Sequence, residues 1–299
     1  MKCKFKFFSW VYSLVLIGFT VYVILDAFVI ERSYETVDKS EYTITSGTTL
    51  SLSTAEVDED SYTDSTGAKI TITTYTVNDT EVYVADIYLT EVDSLKTAFA
   101  SDTYGKNVTE TTSDIAEDND ALLAINGDYY SARTGYVIRN GVLYSAESED
   151  DDQEDLVIYD DGTCEIIREG DITAEELLEN GAIHVFCFGP GLVSDSEITV
   201  DENDEVGQAM SSNPRTAIGW YEGLHYCFVV SDGRTDESEG LSLYELAEFM
   251  TEELGVTIAY NLDGGGSSTM YYNGEVINNP TTNGNRIKER EVSDIVYIS

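Results

Sequence analysis

Histidine is almost absent from this chain: His184 and His225 are the only two. There is no Cys-x-x-Cys pair and no histidine cluster, which argues against a zinc site. A serine-protease-like triad is short of bases for the same reason. Positive charge is scarce as well, with 16 Lys and Arg against 57 Asp and Glu, a formal net charge of -41. A surface this negative repels phosphate backbones and anionic lipid, so nucleic acid is not expected as a partner. The acidity reads first as solubility or as a fit to a salty or cell-surface setting. Carboxylate-rich loops would also suit a calcium ion.

The cysteines are few and unpaired by number. Cys3 precedes an apolar stretch, and Cys164, Cys187 and Cys227 follow it. Three is odd, so no disulfide framework is read. Cys187 ("HVFCFG") and Cys227 ("HYCFVV") lie in apolar runs and read as buried free thiols. A Cys187–Cys227 bridge stays open.

Residues 7–25 carry no charge, and Lys2, Lys4 and Lys6 precede them. That length suffices for a hydrocarbon core of about 30 Å. Lysines before it and mostly acidic sequence after it place the N-terminus inside and the remainder outside. A cleaved signal peptide is the competing reading, but its apolar part is usually shorter and Leu25-Asp26-Ala27 is a poor cleavage site. The expected organisation is a cytoplasmic tail (1–6), a transmembrane anchor (7–29), an acidic Ser/Thr-rich stalk with an early strand (30–67) and one globular domain (68–299).

From residue 68 onward, "KITITTYTV" and "EVYVADIYL" alternate with period two, as strands do. "GYVIRNGVLY" reads as a hairpin turning at Asn140-Gly141, and "DLVIYDDGTCEII" as another at Asp161-Gly162. "TAIGWYEGLHYCFVVSDG" is a third, with Glu222-Gly223 at its tip. Two helices carry capping boxes, Thr173-x-x-Glu176 and Ser242-x-x-Glu245, and stop at Gly181 and Gly255. Leu243, Leu246, Ala247, Met250 and Leu254 share one face of the second and must pack on something, most simply a sheet. The expected fold is α+β, with mixed, largely antiparallel sheets, a few packed helices, and one N-terminal transmembrane helix in front.

The stretch "YNLDGGGSSTM" ends an apolar run with Asp263, three glycines and three hydroxyl residues. Glycines permit positive φ and close approach of a ligand to the backbone. Successive N–H groups in such a loop can form an anion nest. Without Gly-Lys-Ser/Thr it is not a nucleotide P-loop. Alone it reads as a tight turn. Three further polar clusters sit at the ends of apolar strands: Asn126 and Asp128 in "AINGDYY", Arg215 in "NPRTAIG", and Asp232 and Arg234 in "VVSDGRT". Together the four read as a site. Arginine suits a phosphodiester, because its planar fork binds two oxygens.

The segments "AINGDYY", "GYVIRNGVLY", "NPRTAIGW", "SDGRTDESEGLSLYELAEFM" and "NLDGGGSSTM", with "REVSDIVYI" last, resemble the phosphodiester glycosidase family in that order. The resemblance covers most of residues 68–299. It implies hydrolysis of a sugar-1-phosphodiester, and bacterial members are associated with exopolysaccharide. The implied catalytic carboxylates are Asp263, Asp232 and Asp128. The implied substrate contacts are Asn126, Arg215, Arg234, Gly264, Gly265, Gly266, Ser267, Ser268 and Thr269. "NGDYY" replaces the family's "NGxFF", and the closing segment lacks a proline, so substrate choice could differ.

On this reading an arginine clamps the phosphate and a carboxylate, Asp263 first, serves an oxocarbenium-like centre. Asp232 or Asp128 would position water. No cofactor is required by the sequence. Ca2+ or Mg2+ on Asp128, Asp232 and Asp263 is the option behind an alternative, a metal-dependent phosphodiesterase that cuts P–O. A non-catalytic module binding a cell-wall glycan is the other alternative. The expected partners are a glycan or sugar phosphate and the cell membrane, with the domain extracytoplasmic.

Overall fold

The computed structural model describes residues 2–37, 56–57, 60–63, 67–130, 134–205, 212–282 and 286–299. Much of the expected stalk lies outside them. An α-helix spans Lys2–Phe28, and its Trp10–Phe28 portion is long and apolar enough to cross a membrane, with none of it buried. Only three residues separate it from the strand Arg32–Thr36, which pairs antiparallel with Thr103–Lys106.

Three larger antiparallel sheets build the domain. One has nine strands, ordered Glu197–Ile198, Gly191–Ser194, Ile258–Asn261, Thr216–Glu222, His225–Ser231, Thr80–Tyr88, Lys69–Val77, Ser61–Thr63 and Glu56–Val57. A second is ordered Glu275–Val276, Met270–Tyr272, Leu123–Asn126, Asp294–Ile298 and Leu95–Phe99. The third is ordered Val142–Glu147, Gly135–Arg139, Ala182–Phe186, Glu154–Tyr159 and Cys164–Arg168. The expected hairpins form at the expected turns. Asn140 and Gly141 both take positive φ (50° and 76°), as a two-residue hairpin turn requires.

Alternation along the nine-stranded sheet sends side chains to two cores. Ile87, Ile218, Tyr226 and Phe228 face a central cluster shared with Leu123, Ile125 and Val296 of the second sheet and Leu156 and Phe186 of the third. Val84, Ala217, Cys227, Val229 and Ala259 face the other way, onto the helix Leu243–Glu252. That helix buries Leu243, Leu246, Ala247, Phe249 and Met250, and both predicted capping boxes are formed. Cys164, Cys187 and Cys227 are buried and free. The fold is α+β with mostly antiparallel sheets, as the sequence leads one to expect.

Candidate active site

Three neighbouring strands of the nine-stranded sheet bring their functional residues to one end. Ile258–Asn261 leads out to Asp263, Arg215 leads into Thr216–Glu222, and His225–Ser231 leads out to Asp232. Antiparallel pairing makes the start of the middle strand coincide with the ends of its neighbours. The second sheet contributes Asn126 at the end of Leu123–Asn126. This amide is fully buried and fully used. Its Nδ2 donates to the Asp263 carbonyl at 2.7 Å and to the Gly127 carbonyl at 3.1 Å. Its Oδ1 accepts from Thr216 Oγ1 at 2.8 Å and from the Thr269 N–H at 3.3 Å.

Asp263 is mostly buried, and one of its oxygens is held tightly. Oδ2 accepts from Ser267 Oγ at 2.6 Å and from Arg290 Nη2 at 2.7 Å. Arg290 also donates through Nε to Ser267 Oγ at 2.8 Å and through Nη2 to the Gly264 carbonyl at 3.1 Å. Ser268 Oγ and Thr269 Oγ1 lie buried with no partner among the described residues.

The glycines serve the protein's own packing. Gly265 has φ +64°, and a Cβ there would lie 2.8 Å from Arg234 Nη2. A Cβ on Gly264 would meet the Pro214 carbonyl at 2.9 Å, and one on Gly266 the Thr282 backbone at 2.9 Å. The N–H groups of Gly265, Ser267 and Ser268 donate to Pro214, Gly264 and Gly265 carbonyls. The expected nest is therefore not open at these three amides, because the loop closes on its neighbours. An anion here meets side chains instead.

Those side chains are cationic. Arg234 donates from Nε and Nη2 to Asn213 Oδ1 and from Nη1 to the Thr282 carbonyl. Burial, followed by the like charges of Arg290 and Arg215, lowers its pKa. Arg215 is nearly inaccessible, paired with Glu205 at 2.8 Å and bonded to the Leu241 carbonyl. Burial lowers its pKa too, with Glu205 opposing. Asp232 accepts from Asn278 Nδ2, the Asn279 N–H and Asn279 Nδ2 at 3.2, 2.8 and 2.9 Å. Burial raises its pKa, and these donors offset part of the effect.

Asp128 does not join this cluster. Its carboxylate is fully inaccessible, 2.8 Å from Arg139 Nη2, and accepts from the N–H groups of Cys187 and Tyr130. Arg139 also binds Asp294 Oδ2 at 3.0 Å. Asp294 is pushed up to about 7, by burial first and then by the charge of Asp128. The water-positioning role expected for Asp128 thus gives way to a place inside a buried ion triad. Nor do Asp128, Asp232 and Asp263 converge as one ligand set: each is bonded to different partners, and among the described residues no group of three or more His, Cys, Asp or Glu could hold a metal ion.

Sequence reading missed Arg290, Asn278 and Asn279. They lie in the polar stretch between Val276 and Asp294, which has no periodicity, and only the fold brings them over the glycine loop. The one signal was the closing motif, in which Arg290 immediately precedes "EVSDIVYI".

Known proteins resemble this chain in sequence and fold. Residues 119–299 match the family model described as phosphodiester glycosidase. The SPbeta prophage-derived protein YomE of Bacillus subtilis is 31% identical over 205 residues, 66% of this chain and 30% of the relative. Mouse N-acetylglucosamine-1-phosphodiester α-N-acetylglucosaminidase is 30% identical over 189 residues, 57% of this chain and 35% of the relative. The chain thus spans about a third of the length of these curated relatives. Among solved structures, the catalytic domain of the zebrafish N-acetylglucosamine-1-phosphodiester α-N-acetylglucosaminidase superposes with a TM-score of 0.61 at 19% identity, covering 90% of this chain and 87% of that one. A putative exported protein of Burkholderia pseudomallei does so at 0.51 and 15% identity, covering 73% and 74%. The family match takes in Asn126, the hairpin at Asn140, both polar strand ends and the Asp263 loop, and by it this chain belongs to the phosphodiester glycosidase family.

Proposed function

We propose that the chain hydrolyses a sugar-1-phosphodiester in a cell-surface or extracellular glycan, breaking the bond between C1 of the sugar and the phosphate oxygen. The observation that carries this is local charge. In a chain with 16 basic residues against 57 acidic ones, Arg290 bonds the Asp263 carboxylate, and Arg234 feels the charges of Asp263, Arg290 and Arg215. Guanidinium groups suit a phosphodiester, and a carboxylate suits the oxocarbenium-like centre left when C1–O breaks. Ser267 and Arg290 hold Asp263 oriented. Arg234, less buried than Arg215, is assigned to the phosphate, with Ser268 and Thr269 hydroxyls completing the cradle. The phosphodiester leaves as a weak base, so the demand for a strong general acid is small. Asp232 is assigned to water, and Asp128 to positioning the turn that carries Asn126.

The apolar helix is assigned as a single-pass anchor for residues 7–29, with 1–6 cytoplasmic, 30–67 a linking segment and the domain of 68–299 extracytoplasmic. The exposed apolar surface of Trp10–Phe28 supports an apolar environment for it.

The test uses UDP-N-acetylglucosamine as a soluble sugar-1-phosphodiester, with Asp263→Asn beside the unsubstituted protein. Free sugar plus UDP, lost in the variant, is the expected result. Sugar-1-phosphate plus UMP would mean P–O cleavage and overturn the mechanism. Binding without turnover across a panel of such esters would replace hydrolysis with a glycan-binding role.

A further inference from the structure

A cavity of about 900 Å³ lies where the apolar helix meets the domain. Its aromatic walls are Tyr34, Tyr104, Tyr129 and Tyr130, and its helix-side wall is Ala27 and Phe28. Tyr104 and Tyr130 stack with ring centroids 4.9 Å apart, and Tyr34 tilts against Tyr104 at 5.9 Å. Tyr129 takes φ +54°, a left-handed conformation rare for an aromatic residue. Such outliers are concentrated at ligand sites. Polar groups line the rest: Lys106 and Asn107 on one side, Ser145, Glu147 and Glu149 on the other.

The junction that forms this cavity is built into the fold. Asn107 Nδ2 donates to the Ile30 carbonyl at 2.9 Å, and the strand Arg32–Thr36 is paired along Thr103–Lys106. Gly105 lets the two strands meet, since a Cβ there would fall 2.3 Å from the Arg32 carbonyl. The Gly105 N–H in turn donates to Tyr130 Oη at 3.2 Å. The cavity is therefore tied to the end of the helix, and if that helix spans a bilayer the cavity lies at the lipid–water boundary.

We infer that this cavity binds a neutral sugar unit of a membrane-tethered glycan. Aromatic faces stack on the C–H faces of a sugar ring, while carboxylates, amides and hydroxyls take its OH groups. Among the described lining residues, one cation stands against two carboxylates, a balance that disfavours a phosphate-rich ligand. The inference rests on the proposed function for its biological sense. Tyr129 and Tyr130 continue directly from Asn126, and the chain between Asn126 and Tyr130 spans at most about 14 Å. One glycan can then engage the cavity with one part and the Asp263 site with another.

The test uses the full chain carrying Asp263→Asn, in nanodiscs of phosphatidylcholine with or without a dihexosyl diacylglycerol. Hydrogen exchange is followed at residues 32–36 and 103–107. The expected result is at least tenfold slower exchange with the glycolipid, abolished by the double variant Tyr34→Ala/Glu147→Gln. Both side chains are exposed, so an unchanged melting temperature shows that the variant folds. Absence of protection, or protection that survives in the double variant, overturns the inference. Turnover of UDP-N-acetylglucosamine by the Asp263-containing protein is read separately. If it is missing while protection persists, the catalytic proposal fails and the cavity assignment stands.

Discussion

Arg290 Nη2 donates to Asp263 Oδ2 at 2.7 Å, and Oδ1 of the same carboxylate has no hydrogen-bond donor among the described residues. One oxygen is fixed and the other carries no donor, which suits the role proposed for this carboxylate. Arg290→Ala removes a charge-assisted bond worth about 1.5–3 kcal/mol, so kcat/KM on a sugar-1-phosphodiester should fall about 10- to 150-fold. Arg290→Lys keeps the charge and loses the fork, and should fall in between. Arg290 is partly exposed, so the melting temperature should move little.

The loop glycine next to Arg234 offers a different separation. Gly265→Ala places a methyl group 2.8 Å from Arg234 Nη2 at φ +64°. The strained backbone costs about 1 kcal/mol, and the guanidinium must move aside. Steady-state kinetics should show a raised KM exceeding any loss of stability in urea, because the obstacle is the movable end of a side chain.

Among the described residues Arg139 is the sole cation paired with Asp128 and Asp294, and all three are essentially inaccessible. Arg139→Met leaves two carboxylates facing each other without compensation. Breaking a buried pair in this way costs about 3–5 kcal/mol. Chemical denaturation at pH 7.5 should show a loss of that size. At pH 5 the loss should be smaller, since Asp294 is held near 7 and takes up a proton there.

Asp155 supplies a pH signature of its own. Burial, then the charge of Glu169, pushes its carboxyl up to about 9, with Gln153 donating against the shift and Asp128 adding to it. An acid raised on folding binds its proton more tightly in the folded state. Its contribution is complete below the unfolded value near 4 and is lost as pH rises toward 9, at a slope of at most about 1.4 kcal/mol per pH unit. Resistance to thermal unfolding should therefore fall from pH 5 to pH 9. Asp155→Asn should flatten the upper part of that decline, toward pH 9 and above the range around 7 in which Asp294 titrates.

Much of this molecule was legible from spacing alone. Period-two runs became strands, Asn140-Gly141 became a hairpin turn, and Ser242 with Glu245 became a capping box, because each depends on neighbours along the chain. Asp263, Arg215, Asp232 and Arg234 were legible as polar residues at strand ends. The fate of Asp128 was not, since its partner Arg139 approaches from another sheet and Asp294 from near the chain's end. Arg290 was hidden for the same reason: nothing in a polar loop announces which residue will fold back onto a carboxylate.

Asn126 joins Leu123–Asn126 of one sheet to Thr216 and Asp263 of another through a single buried amide. The site is in this sense a seam between two slabs, built where they meet. Sliding of the slabs by an ångström would break these bonds while leaving every strand hydrogen bond intact. Activity is then a gauge of how the sheets are docked, and denaturant should abolish it before far-ultraviolet circular dichroism registers any loss of strand.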